Sequence, residues 1–148
     1  MNDLERRMVR WYWRQVGGTL IEAFPIVAGN AGTLPQVVDG LVIRRGKWRI
    51  ADAADVTVAG HDLIVLHACA DRLNLGLMGQ VHFSARLVAR LEPQSLYSVA
   101  LVARDDRVLR PLLEEDRTMK VVVCPDLRTQ PAEIGAALLD EDAGEPAP

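Results

Sequence analysis

At 148 residues, 49% of them hydrophobic and 25% charged, the chain has the length and composition of one globular domain that buries a core without metal or disulfide staples. No apolar run approaches the roughly 20 residues of a spanning helix, and MNDLERRMVR lacks the apolar core of a secretory signal, so the expectation is a cytoplasmic protein with no membrane span. The net charge of −3 is unevenly placed: from Pro125 onward six carboxylates face only Arg128, so an acidic tail follows a mildly basic body.

Taken in order, residues 2–16 read as a helix closed by Gly17-Gly18. At about 100° per residue, Arg6, Arg7, Arg10 and Arg14 fall on one face, and apolar residues fill the wider arc. Glu5 lies within that arc, where a carboxylate aimed at the core needs a partner; the alternative is a place in the first turn, favoured by the helix dipole. Trp11-Tyr12-Trp13 is too tight for one face and must divide between the sheet and a second surface. TLIEAFPIV (19–27) and QVVDGLVI (36–43) read as strands joined by the loop AGNAGTLP, a hairpin with a loose connection. Asp39 interrupts the second strand on the face of Val37, Leu41 and Ile43. Either that face is open there, or a cation meets the carboxylate. RRGKWRI turns at Gly46-Lys47 and leads to a short extra strand.

Within DLIVLHACADRL (62–73), the apolar run Leu63–Ala68 is too short for a membrane span and, with β-branched Ile64 and Val65, reads best as a buried central strand ending at about Cys69. Leu63, Val65, His67 and Cys69 share one face, and Ile64, Leu66 and Ala68 the other. A helix follows from about Asn74 to Leu91, with Gly76 and Gly79 expected to allow close approach to the sheet and His82 expected in or near the core. SLYSVALVA (95–103) and MKVVVC (119–124) are the remaining strands, and Asp105 or Asp106 caps a short helix between them. DEDAGEPAP, at the end of the 125–148 tail, has the composition of a disordered segment. Cys69 and Cys124, each in an apolar run, read as reduced thiols. No second Cys/His pair stands at a spacing that would complete a zinc site, and no oxyanion-hole signature accompanies Cys69 as a nucleophile.

The order helix, three strands, helix, strand, with an Asp on the second strand and a polar pair spaced by one on the third, resembles the core of the PD-(D/E)XK nuclease superfamily over roughly residues 2–124. The resemblance implies an α/β, restriction-endonuclease-like αβββαβ domain with a mixed sheet between helices, and a site for Mg²⁺ or Mn²⁺. By position, Asp39 matches the family's Asp, His67 its Glu or Gln, Cys69 its Lys, and Glu5 the carboxylate of the first helix, with Glu22 as a second choice. The implied metal ligands are thus Asp39, His67, Glu5 and Glu22.

The departures point away from catalysis. Val38 stands where the family has Pro, and His67 makes a softer site suited to Mn²⁺ or Zn²⁺. Cys69 cannot supply a fixed positive charge, and loss of such a group costs on the order of 10²–10³ in rate. The only lysines are Lys47 and Lys120; Arg72, just beyond Cys69, is the nearest substitute cation, able to clamp a phosphate but not to deprotonate water. Three functions follow as expectations. The first is a degenerate nuclease-like subunit binding DNA, a protein or a second copy of itself, with Arg6, Arg10 and Arg14 as the phosphate-contacting stripe. The second is an active metal-dependent nuclease built on Asp39, His67 and Arg72 or Lys47. The third is an interaction module alike only in architecture.

Overall fold

The computed structural model describes residues 1–128. The sheet-forming elements are β1 (Thr19–Val27), β2 (Gln36–Ile43), β3 (Arg49–Ile50), β4 (Asp62–Arg72), β5 (Ser95–Arg104) and β6 (Met119–Val123). Three helices join them: α1 (Asp3–Val16), α2 (Leu75–Ala89) and α3 (Leu109–Glu114). The strands form one six-stranded sheet in the order β3-β1-β2-β4-β5-β6. β1/β2 and β2/β4 pair antiparallel, whereas β4/β5, β5/β6 and β1/β3 pair parallel, so the sheet is mixed.

Each face of the sheet carries its own apolar set because neighbouring residues of a strand point opposite ways. On one face Met8, Val9, Tyr12 and Trp13 of α1 pack on Leu20, Val42, Ile64, Leu66, Val99 and Leu101. On the other, Leu77, Met78 and Val81 of α2 pack with Leu113 of α3 on Ala100, Val102 and Val121. Val88 at the end of α2 continues that layer onto Leu41, Leu63 and Val65. A sheet covered on both faces explains why β4 reads as a nearly unbroken apolar run.

Capping residues set the helix ends. Asn2 and Glu5 form a reciprocal capping box at the start of α1, with the Asn2 side chain accepting from Glu5 N at 2.8 Å and Glu5 Oε2 from Asn2 N at 2.9 Å. Asn74 caps α2 through Leu77 N, and Asp106 Oδ1 accepts from Val108 N and Leu109 N ahead of α3. Gly18 must be glycine: its φ is +81°, and a Cβ there would lie 2.3 Å from Ile43 O.

Three expectations need correction. Gly79 does not admit the sheet, since a Cβ built on it meets nothing within 4 Å, and Gly76 would meet only its own cap Asn74. The buried face of α2 is Leu77, Met78, Val81, Ser84 and Val88, and the glycines lie off it. His82 is exposed, its ring edge-on to exposed Phe83. The body does not stop at Cys124: Leu127 is buried beneath α1, and Arg7 Nη1 donates to its carbonyl. The rest of the acidic tail, residues 129–148, lies outside the described residues.

Candidate functional site

Asp39 sits where the β2/β4 ladder opens. The β2/β4 pairing ends at Gly40↔Leu66, and the β1/β2 register passes from Glu22↔Gly40 to Phe24↔Val38, skipping Ala23 opposite Asp39. Ala23 has φ +48°, unusual for a residue with a Cβ, and this kinks β1 at the level of Asp39. In the gap left by the diverging strands, Asp39 Oδ2 accepts from Ala68 N at 2.8 Å. A carboxylate thereby takes the role of a main-chain carbonyl for a β4 amide that the ladder no longer serves.

His67 stands beside it, its Nδ1 3.9 Å from Asp39 Oδ2, and its Nε2 2.9 Å from Ser84 Oγ on α2. The ring is 4% exposed. Burial lowers the His67 pKa, with the Asp39 charge opposing that shift in part, so the imidazole is neutral at pH 7. A neutral ring has one donor and one acceptor nitrogen. With the Ser84 hydroxyl donating to Nε2, the proton falls on Nδ1 and faces the Asp39 carboxylate, the favourable direction for that charge. In that tautomer the imidazole has no free lone pair to offer a cation. His67 and Ser84 are thus hydrogen-bonded at the α2 interface, with the Asp39 carboxylate beside the imidazole but beyond hydrogen-bond distance of it. Ser84, itself buried, has no place in the sequence reading; its only sequence signal is the spacing Val81, Ser84, Val88, which puts a hydroxyl on an apolar helix face.

The other predicted site residues lie elsewhere. Glu5 is spent on the capping box and does not converge on Asp39. Glu22 pairs across with Gly40, and so faces the opposite side of the sheet from Asp39. There Arg10 grips it with two hydrogen bonds, at 2.8 and 3.2 Å, and Arg6 Nε lies 3.8 Å away. The same contact neutralises the middle of the arginine stripe, leaving Arg14 exposed in the last turn of α1. Cys69 is half-buried, two residues along β4 from His67, with Asn74 Nδ2 3.8 Å from its sulfur. A bulge follows it, since the β4/β5 register shifts between Cys69 and Arg72. Arg72 is turned to the β5 side, where Nη1 donates to Asp105 O at 2.7 Å. Lys47 is exposed on the turn before β3.

Chemically, the fork offers one carboxylate that already bonds an amide and one buried imidazole whose Nε2 is engaged by Ser84. Among the described residues, no three His, Cys, Asp or Glu side chains come together. Catalytic zinc sites use three protein ligands, and magnesium sites use one or two carboxylates completed by substrate phosphate. The donor set at Asp39 falls short of the first and provides at most a single carboxylate for the second.

At the other end of β4 and on the α1 face lies a cleft of about 580 Å³, lined by Tyr12, Tyr97, Arg44, Arg117, Thr118 and Lys120 among others. No protein-family model, curated protein or solved structure matches the chain.

Proposed function

We propose that the chain is a catalytically degenerate protein on a nuclease-like scaffold, acting by binding nucleic acid or a protein partner and not by cleaving phosphodiesters. The element order α1-β1-β2-β3-β4-α2-β5, which departs from αβββαβ only by the two-residue β3, supports the scaffold, as does Asp39 at the strand fork. The observation that carries the loss of catalysis is the engagement of Asp39 by Ala68 N together with the burial of neutral His67 against Ser84. Groups that satisfy the fold's own amide and hydroxyl are not poised for a metal or a water. Cys69 adds no charge where such enzymes use an ammonium group.

The test is a plasmid-cleavage assay with Mg²⁺ and, separately, Mn²⁺, comparing the native chain with Asp39→Ala. The expected result is no cleavage by either protein. Cleavage by the native chain that Asp39→Ala abolishes would establish the active-nuclease reading instead. Within the binding reading, the exposed Leu75 and Phe83 of α2 favour a protein partner, whereas the basic cleft favours nucleic acid. Binding to nucleic acid weakens steeply with salt, and binding through apolar side chains does not.

A further inference from the structure

The cleft between α1 and the leading ends of β4, β5 and β6 is the most unusual surface of the molecule. Three cations reach it from three elements: Arg44 just past β2, Arg117 before β6, and Lys120 on β6. None of the three makes an ion pair with a carboxylate among the described residues, and no Asp or Glu lines the cleft. By contrast, Arg10 pairs with Glu22, Arg45 with Asp62, Arg104 with Asp71, and Arg110 with Asp105 and Glu114. Unpaired positive charge from three elements is thus gathered in one cleft. Gathering it costs self-repulsion, which an anionic ligand would relieve.

Two aromatic rings are interleaved with these cations. Lys120 Nζ lies 5.9 Å from the Tyr12 ring centre, and Arg44 Cζ 5.8 Å from that of Tyr97. Tyr97 is 44% exposed, far more than a ring needed only for packing. Burial raises the Tyr12 pKa against the opposing charge of Arg44, so its hydroxyl stays protonated and able to donate. Thr118 at the rim donates its hydroxyl to Asp116 Oδ1 at 2.6 Å and leaves only an acceptor. Cations for phosphates, an open aromatic ring for a base and a neutral donor beside them are the parts of a single-strand binding groove.

We propose that this cleft binds a single strand of nucleic acid, with Arg117 and Lys120 on successive phosphates and Tyr97 under a base. The proposal rests on the non-catalytic binding reading and names its partner and surface. A single strand fits better than a duplex because the aromatic groups line a recess, where paired bases cannot present their faces. The cleft is also remote from Asp39, on the other face and at the other end of β4. The strand is thus held away from the fork.

The test is fluorescence anisotropy of the full chain with a labelled oligothymidylate and with a duplex of equal length, across a salt series. Arg117, Lys120 and Tyr97 are all solvent-exposed, so their replacement leaves the core intact, and circular dichroism with a melting curve verifies this. The single strand should bind more tightly than the duplex. Arg117→Ala with Lys120→Ala should lower the slope of log K against log salt by about 1.4, as expected for two lost phosphates. Tyr97→Ala should weaken binding roughly five- to a hundred-fold, the range for one lost base stack. Arg6→Ala with Arg14→Ala, on the α1 stripe, should change neither quantity. The proposal is overturned if the native chain binds no oligonucleotide, if the stripe variant and not the cleft variant loses binding, or if duplex binds as well as single strand. Each of those results leaves the non-catalytic reading standing, since that reading fails only in the cleavage assay.

Discussion

Asp39 Oδ2 accepts a hydrogen bond from the Ala68 amide across a gap that the β2/β4 ladder no longer spans. A residue that looks like a catalytic acid in sequence is here a brace between two diverging strands. The bond is charge-assisted, and an amide at this depth has no cheap alternative partner. Asp39→Ala should therefore cost about 1.5–3 kcal/mol in urea unfolding. Asp39→Asn, which keeps an acceptor oxygen, should cost clearly less. Equal losses for the two variants would mean that the charge of the carboxylate, and not its shape or acceptor oxygen, makes the contribution.

His67 gives the domain a pH dependence whose sign follows from its buried, neutral state. Its folded pKa lies below the unfolded value of about 6.5, so the unfolded chain binds the extra proton more readily. The contribution is complete above about pH 6.5 and is lost as pH falls from there through the folded pKa. Unfolding free energy should therefore decline on mild acidification. His67→Gln, which cannot titrate, should remove that slope while lowering stability at pH 7. A native chain with flat stability from pH 7 to 5 would contradict the assignment.

The sequence showed the scaffold well because its signals are local. Strands β1 and β2 read off by composition and turn residues, and β4 by its apolar run. The pairing of Asp39 with His67 follows from strand parity and the order of the elements. Of the two places open to Glu5, it takes the first turn and not the core, because helical periodicity alone ignores the terminus. Asn2-x-x-Glu5 is a capping box, and the local bond to Asn2 N competes successfully with any reach toward the core. Ser84 could not be found, because a hydroxyl on a buried helix face finds its partner only once α2 is laid on β4. The basic cleft draws on α1, β2, β4, β5 and β6 and has no signature along the chain. Leu127 was lost to the acidic composition around it, although one buried leucine is enough to hold a segment to the body.

Thiol chemistry separates the two cysteines. Burial pushes the Cys124 thiol up to about 12, and the residue lies in the core beneath α1. The thiolate is the reactive form, so Cys124 should be silent toward a disulfide reagent at pH 8 until the domain opens. Cys69 is half-buried at the end of the regular part of β4 and should react first. Native protein should release about one equivalent promptly, and denatured protein two; Cys69→Ser should abolish the prompt phase. Two prompt equivalents from native protein would show that the segment through Leu127 does not stay docked.

Two glycine-to-alanine changes should have opposite signs, and together they test how the helices lie on the sheet. Gly40 of β2 sits beneath α1, where an added Cβ would come within 2.9 Å of Val9 Cγ1, 3.2 Å of Leu66 Cδ1 and 3.3 Å of Leu20 Cδ1. These are side-chain ends, but Val9, Leu20 and Leu66 are all fully buried and have little room to retreat. Gly40→Ala should destabilise by about 1–3 kcal/mol, the usual cost of overpacking. Gly79 lies within α2 with nothing within 4 Å of its would-be Cβ. There alanine brings only its better helix propensity and a less flexible unfolded chain, so Gly79→Ala should stabilise by roughly 0.5–1 kcal/mol. Paired urea titrations with unchanged m-values would decide both. A destabilised Gly79→Ala would mean that α2 lies closer to a neighbouring element than its buried face of Leu77, Met78, Val81, Ser84 and Val88 implies.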